Sequence, residues 1–281
     1  MKKLVIPAIM LASFSLALAG NITIKGSDTM VRLGQQLAEV YMKANPGAVI
    51  QVSGGGSGTG IAALINGTTD ICEASRDMKK AEYDEAAKKG IKTYRAAVAL
   101  DGIAVFLNNE NPVQELSLDQ LNGIYTGKIV NWKEVGGADK QIILYGRENN
   151  SGTYAFFKEH VLKDADYAEL TQTLPGTAAV VNAVSKDKYG IGYGGIAWDK
   201  GVKAAAVKKD EKSEAIVPSL TTVTNGTYPI SRELYWFFGN TPTGDLKKLL
   251  NWTLSADGQQ VIQQADYIPL PKEVAVKNMI K

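Results

Sequence analysis

Short apolar runs alternate along the chain with segments in which apolar residues recur every three or four positions. A β-type run begins at Ile22, and the next segment places Leu33, Leu37, Val40 and Tyr41 on one helical stripe. Runs of the first kind are typical of strands and stripes of the second kind are typical of amphipathic helices. Because the two kinds keep alternating, the pattern predicts an α/β fold with a mostly parallel sheet.

The same alternation continues to the end of the chain. The segments "AVIQVS", "TTDICEAS" and "IILYGR" read as strands, and "KKAEYDEAAKKG", "LSLDQLNGIYTG" and "TYAFFKEHVL" read as helices. The run "TYRAAVALDGIAVFLN" is long enough for one strand to pass between two domains, and "YPISRELYWFFG" is a further β-type run. The segment "TGDLKKLLNWTLSADGQQVIQQAD" is predicted to be helical throughout.

The first residues have the pattern of a secretory leader. Lys2 and Lys3 precede an apolar stretch, and Ala17-Leu18-Ala19 forms a small-residue cleavage pattern. A membrane anchor is the alternative, but a span needs about 20 apolar residues and this run is shorter. We therefore expect a signal peptide at 1–19, cleavage after Ala19 and a periplasmic protein.

Charge and residue usage narrow the function classes. The 31 basic and 29 acidic side chains include two leader lysines, so the mature chain has no formal net charge. No basic excess indicates nucleic acid or an anionic membrane as a partner. Cys72 is the one cysteine, which excludes an intrachain disulfide, and it is expected to be a buried filler. The chain also has a single histidine, His160, and one cysteine with one histidine make no convincing metal-ligand set. No metal site and no cofactor are therefore expected.

Four polar turns share one layout, each following a β-type run. They are "GSDTM" (26–30), "GGGSGTG" (54–60), "EASRD" (73–77) and "RENNSGT" (147–153). In an open α/β sheet the carboxyl ends of the strands and the following helix starts face one crevice. Helix N-termini offer free N–H groups, serine and threonine add hydroxyls, and arginine adds a fork suited to two oxygens. Plain helix capping explains one such turn, whereas four of them favour an anion site.

Other motifs in the sequence give weaker indications of function. "GIYTGKI" is one residue short of a P-loop and has Ile129 where that motif needs Ser or Thr, so we read it as a helix C-cap. "GGGSGTG" lacks the dinucleotide-binding spacing. His160 lies within a helix and is expected to be a surface or packing residue. A Ser-His-Asp triad would have to use it, and it is poorly placed for Ser57 or Ser151.

With these turns in hand, the chain from about Asn21 onward resembles the periplasmic phosphate-binding proteins that serve ABC transporters. The resemblance implies two α/β domains that close over phosphate, with strands as the hinge. It implies first-turn contacts from Thr29 and Met30 and second-turn donors from Ser57, Gly58 and Thr59. The second-domain cluster matches Arg147, Ser151, Gly152 and Thr153. Ser27, Ser75, Arg76 and Asp77 complete the predicted site.

The third turn differs from many members of that family, which carry Asp after Ala-Ser where this chain has Arg76. Monohydrogen phosphate carries a proton and needs an acceptor, whereas a buried carboxylate would repel sulfate. Candidate acceptors are Asp77, Asp28, Glu73 and Asp101, of which Asp77 and Asp28 are preferred from the sequence.

The sequence therefore predicts a two-lobed, type II periplasmic-binding-protein fold with an interdomain ligand cleft. Domain I is expected at 20–98 plus 225–281 and domain II at 99–224, with hinges in "ALDGIAV" and "TVTNGTY". The predicted function is capture of inorganic phosphate by a monomeric, non-enzymatic protein and its delivery to an inner-membrane ABC permease. The alternatives are another tetrahedral oxyanion (sulfate, molybdate or tungstate), a secreted phosphatase-like hydrolase, and a structural role in which the turns are only caps.

Overall fold

The structure is a computed structural model that describes residues 21–281, so the predicted leader at 1–19 and its cleavage site lie outside the described residues. Within that range ten strands form one continuous curled sheet. They are β1 (Asn21–Gly26), β2 (Val49–Ser53), β3 (Ile71–Ala74), β4 (Tyr94–Leu107), β5 (Glu115–Ser117), β6 (Ile143–Arg147), β7 (Gln172–Leu174), β8 (Gly190–Gly195), β9 (Lys203–Lys208) and β10 (Ser231–Phe238).

Most of the α-helices lie between strands, as the pattern predicted, and the last three follow the final strand. They are α1 (Val31–Ala44), α2 (Ser57–Ile65), α3 (Lys80–Lys88), α4 (Leu118–Tyr125), α5 (Gly152–His160), α6 (Gly176–Lys186), α7 (Leu220–Thr224), α8 (Gly244–Thr253), α9 (Ala256–Gln264) and α10 (Lys272–Asn278), with short 3-10 helices at Trp132–Val135 and Ile196–Trp198. The segment predicted as one helix after residue 243 is instead two helices. Ser255 ends the first by capping the second, accepting a hydrogen bond from the Gly258 N–H.

The sheet order β2-β1-β3-β10-β4-β8-β6-β7 divides into two halves. We call the half with β1, β2, β3 and β10 lobe I, and the half with β5 to β9 lobe II. Pairs such as β1–β2, β1–β3 and β6–β8 are parallel, whereas β10 and β4 run antiparallel to their neighbours. Antiparallel pairing thus arises where strands pass between the lobes.

Strand β4 makes the first crossing. Residues 94–102 pair with β10, and Ile103–Leu107 pair with β8. This confirms the expectation that the long β-type run passes from one half to the other. The fourteen residues of β4 are buried almost throughout their second half, which is typical of a strand covered on both faces.

Each lobe has its own apolar core. Leu33, Leu37 and Trp236 belong to the core of lobe I, and Leu116, Phe157 and Tyr193 belong to the core of lobe II. Tyr228 and Ile230 pack into the lobe II core as well, so the chain returns to lobe I close to the start of β10. No helix within residues 21–281 is long and apolar enough to cross a membrane.

Candidate anion-binding site

The predicted turns meet where lobes I and II face each other. The first lies between β1 and α1, the second before α2, the third after β3, and the fourth between β6 and α5. The carboxyl ends of parallel strands thus share one crevice, as expected for this architecture. The predicted residues whose side chains or backbone come together there are Ser27, Thr29, Ser57, Ser75, Arg147, Gly152 and Thr153.

The hydroxyls of lobe I form a small buried cluster. Ser27 Oγ donates to Ser75 Oγ at 2.9 Å, and Ser57 Oγ lies 3.4 Å from the same atom. The Ser75 backbone N–H donates to Ser57 Oγ at 3.1 Å. Each of the three side chains is at most 1% exposed. Three hydroxyls withheld from water within hydrogen-bond distance of one another form a polar cluster whose donors and acceptors could bind an ion.

Lobe II supplies the facing wall from the start of α5. Ser151 caps that helix by accepting from the Tyr154 N–H at 3.3 Å. Thr153 Oγ1 lies 2.8 Å from Thr29 Oγ1, which joins the two walls directly. A Cβ built on Gly152 would lie 2.6 Å from Ser75 Oγ and closer still to Ser57 Oγ, so the backbone of lobe II touches the serines of lobe I. Only glycine permits this approach.

Arg147 ends β6 and is 2% exposed. Its Nη1 donates to Thr177 Oγ1 at 2.8 Å, and its Nη2 donates to Asp28 Oδ2 at 3.1 Å across the lobes. Its Nε has no hydrogen-bond partner among the described residues. Burial lowers the pKa of Arg147, partly offset by Asp28, but a guanidinium stays charged at neutral pH. A fixed positive charge therefore sits in the wall.

A second buried guanidinium, that of Arg232, was not predicted. It lies near the start of β10, and its Nη2 donates to Thr153 Oγ1 at 2.9 Å while its Nη1 donates to the Ser75 carbonyl at 2.8 Å. Nε and Nη2 both donate to Asp101 Oδ2, at 3.1 and 2.7 Å. Burial raises the pKa of Asp101, and Arg232 opposes that rise. The buried pair thus belongs to the same cluster as the predicted residues.

Two predicted residues of the third turn point elsewhere. Arg76 forms a bidentate ion pair with Glu82 at 2.7 and 2.8 Å. The Asp77 carboxylate contacts Arg95 and accepts from the Tyr83 hydroxyl at 2.7 Å, on an exposed surface. Asp77 was a preferred acceptor of a ligand proton, and its engagement with these surface groups removes it from the cluster.

The second turn contributes to the rim. The Gly58 N–H donates to the Asn150 carbonyl at 2.9 Å, and Asn150 Nδ2 donates to the Gly55 carbonyl at 3.0 Å and reaches Thr59 Oγ1 at 3.4 Å. Asn150 was another residue not predicted. Met30 is fully buried in the core of lobe I, and its N–H donates to the Ser27 carbonyl at 2.9 Å. Asn150 thus joins lobe II to the second turn, and Met30 anchors the first turn in the core of lobe I.

The remaining candidate carboxyls differ in their surroundings. Asp28 is engaged at both oxygens, by Arg147 and by the Gly55 N–H at 2.8 Å. Glu73 is fully buried against Gly34, and neither of its oxygens has a hydrogen-bond partner within the described part of the chain. Burial, with Asp28 nearby, raises the pKa of Glu73 well above its ordinary value. Asp101 Oδ1 lies beside Gly195, near the Thr29 methyl group, and makes no close hydrogen bond among residues 21–281; the neighbouring Ile196 N–H joins Arg232 in opposing the rise in the pKa of Asp101.

The site shows how residues with other expected roles are placed. His160 stacks on Phe156 at 3.8 Å at the far end of α5 from Ser151, which confirms its interpretation as a surface residue. Cys72 is buried, as expected. Among residues 21–281, no group of three or more His, Cys, Asp or Glu side chains is placed to hold a metal ion.

Comparison with known proteins places most of the chain in one family. The profile of the PBP superfamily domain matches residues 15–257. The phosphate-binding protein PstS of Pseudomonas aeruginosa is 36% identical over 277 residues, covering 92% of this chain and 86% of that protein.

Two solved structures share the fold. A substrate-binding protein of Clostridium perfringens, solved with bound phosphate, is 29% identical with a TM-score of 0.82 and covers 90% of this chain and 100% of that one. An ABC-type phosphate transport receptor of Vibrio cholerae is 30% identical with a TM-score of 0.72, over 89% of this chain and 100% of that one. The chain described here therefore belongs to the PBP superfamily and, within it, to the family of phosphate-binding proteins that includes PstS.

Proposed function

We propose that this protein captures inorganic phosphate between its two lobes in the periplasm and delivers it to an inner-membrane ABC permease. The observation that carries the proposal is the meeting of two walls: hydroxyls of lobe I and the α5 N-terminus of lobe II lie within hydrogen-bond distance of each other. The relatives named for phosphate binding and transport support the same ligand and the same class of partner.

The proposed binding set is the buried cluster. Ser27, Thr29, Ser57, Ser75, Arg147, Ser151, Gly152 and Thr153 bind the anion, with Gly58 and Thr59 at the rim. Met30, Arg76 and Asp77 support the turns without touching the ligand. In the present arrangement the hydroxyls bond one another, and phosphate oxygens would replace those mutual contacts. Charge-assisted hydrogen bonds are worth about 1.5–3 kcal/mol each, so several are needed to offset the dehydration of a dianion.

Closure is part of the proposal because neither wall surrounds an anion alone. A ligand shifts an equilibrium between open and closed forms only by binding one form better. The closed form gains both sets of donors, so phosphate favours it. The predicted limits, 20–98 with 225–281 and 99–224, belong to this proposal, with the crossings near Gly102 and Ile230, where strand partners and core packing change.

Asp101 is the proposed acceptor of the ligand proton. Its Oδ1 is buried beside Gly195, where the Thr29 methyl group also lies, whereas both oxygens of Asp28 are engaged and Asp77 lies on the surface. One proton shared between this carboxylate and a phosphate oxygen is favourable, but sulfate at neutral pH brings no proton. The site should therefore discriminate against sulfate. A monomer without enzymatic activity, cofactor or nucleic-acid partner completes the proposal.

Isothermal titration with phosphate, arsenate, sulfate and molybdate tests the ligand. We expect heats with phosphate and arsenate and none with sulfate. Clear binding of sulfate or molybdate without phosphate binding would show that the ligand is another oxyanion. A phosphate-ester turnover assay on the same preparation tests the absence of hydrolase activity.

Arg147→Ala tests the site. The change removes a buried guanidinium that faces the cluster, and loss of one charge-assisted contact of about 1.5–3 kcal/mol weakens binding about 10- to 150-fold. Arg95→Ala is the matched control, because Arg95 contacts Asp77 on the surface. Equal affinity of Arg147→Ala and wild type would remove Arg147 from the site.

A further inference from the structure

Arg232 occupies a place that no other side chain of the cluster shares. It lies on β10 directly opposite Asp101 on β4, and these are the strands that run between the lobes. From this position its guanidinium contacts Ser75 of lobe I and Thr153 of lobe II. The side chain is 2% exposed, so these contacts are made away from water. A single residue of the hinge thus touches both walls.

The direction of its hydrogen bonds is fixed by chemistry. A guanidinium has five N–H groups and no acceptor, so every partner of Arg232 must accept. Thr153 Oγ1 therefore uses a lone pair toward Arg232 Nη2, at 2.9 Å. Its one hydroxyl hydrogen remains available for Thr29 Oγ1, at 2.8 Å, or for an anion oxygen in the crevice. Because Thr153 accepts from Arg232, its hydroxyl hydrogen is not used in the contact with β10 and can be donated into the crevice.

We propose that Arg232 is a positioning residue of the anion site: it keeps Thr153 a hydrogen-bond donor toward the ligand and aligns the two walls from the hinge. This inference rests on the proposed phosphate function and deepens it. Arg232 acts through Thr153 and Ser75 and is distinct from Arg147, which presents its own charge to the crevice.

Asp101 explains why the charge of Arg232 is not its main contribution. The two groups share two hydrogen bonds through Asp101 Oδ2 and are both buried, so the pair is compensated where it lies. A compensated pair attracts an anion weakly, but it holds the guanidinium plane in one orientation. The orientation of Nη2 toward Thr153 follows from that restraint.

A double-mutant cycle between Arg232→Met and Thr153→Val tests the proposal, with phosphate affinity measured by titration calorimetry. Methionine cannot donate and valine has no hydroxyl. We expect each single change to weaken phosphate binding by roughly tenfold or more. The double variant should lose much less affinity than the product of the two single losses, because the effects of coupled residues are not additive. Arg95→Lys, outside the cluster, serves as the control and should bind as wild type does.

Arg232→Met leaves Asp101 buried without its partner and can fail to fold. In that case the cycle is run with Arg232→Lys, which keeps a positive charge beside Asp101 but lacks the planar fork that reaches Asp101 and Thr153 together, and Thr153→Val should then cost less than about threefold. Independent effects of the two positions, or wild-type affinity of a folded Arg232 variant, would overturn the positioning role alone. No phosphate binding by the wild type would instead refute the proposed function.

Discussion

Around the crevice two buried guanidinium groups are each paired with a carboxylate, whereas one buried carboxyl group has no partner among the described residues. Arg147 is paired with Asp28, and Arg232 with Asp101. Glu73 has no such partner: it is fully buried under α1, and its oxygens make no hydrogen bond to any described residue. Because a buried, unpaired carboxylate is strongly disfavoured, Glu73 is held neutral beneath the anion site. A negative charge there would oppose both Asp28 and a bound anion.

Glu73→Gln should therefore stabilise the protein increasingly as the pH rises. The pKa of Glu73 is raised in the folded chain, so its favourable contribution is complete below the unfolded pKa and is lost as the pH rises through the folded pKa. Each unit of that difference costs the wild type about 1.4 kcal/mol above both values. Urea unfolding at pH 5 and pH 8 measures the effect. A constant difference between variant and wild type would contradict it.

Single residues also show where sequence reasoning succeeded and where it could not. Ser27, Ser57, Ser75, Arg147 and Thr153 stand in polar turns after strands, and the turns meet as predicted. Arg232 lies within an apolar β-type run and had no local signal. Asp101, in the crossing strand, was one of four candidate acceptors, but its position in the sequence did not show its partner. Their pairing depends on the register of β4 and β10, which local pattern does not encode.

At the scale of elements, the alternation of strand and helix was readable because each element has its own apolar period. The antiparallel crossings and the break at Ser255 were not readable, because they depend on which strands become neighbours and on one capping hydroxyl. The α5 N-terminus has one feature that the sequence shows and one that it does not. Its Ser151 cap was visible in the sequence, but its contact with the serines of the opposite lobe is a property of the assembled fold.

Gly152→Ala tests that contact between α5 and lobe I. The added methyl group would press on Ser57 Oγ and Ser75 Oγ only when the lobes are closed. Overpacking costs about 1–3 kcal/mol, which lowers phosphate affinity about 5- to 150-fold. Calorimetric titration measures the loss, and the melting temperature without phosphate should not fall.

Gly239→Ala is the control for this experiment, since a Cβ there would meet only Ile91 Cγ2, at 3.8 Å. The control should bind phosphate as the wild type does. If Gly152→Ala bound phosphate equally well, the close approach of the two walls in the bound form would be refuted.

Across the whole molecule, the lobes also meet behind the cluster. The turn Ile196–Trp198 leaves β8 of lobe II and packs on lobe I, where Ala197 joins the apolar core. Trp198 Nε1 donates to the Thr29 carbonyl at 3.1 Å, and the Tyr267 hydroxyl donates to the same atom at 2.6 Å. Thr29 is thus held by its carbonyl from behind while its hydroxyl faces the crevice. In the proposed mechanism, closure of the lobes and the position of the turn that carries Thr29 are thereby linked.

Trp198 should report closure through its fluorescence. The chain has four tryptophans, and Trp198 is the one whose indole bonds the turn that carries Thr29. If phosphate draws the lobes together, the polarity around this indole changes, so phosphate should alter the emission of the wild type and of Trp252→Phe, whose indole packs on Tyr41 within lobe I. Trp198→Phe should bind phosphate in calorimetry yet lose most of the optical change. If Trp198→Phe kept the full phosphate-induced change in emission, the change would come from another tryptophan. The hypothesis that closure acts on the contact between Trp198 and Thr29 would then be wrong.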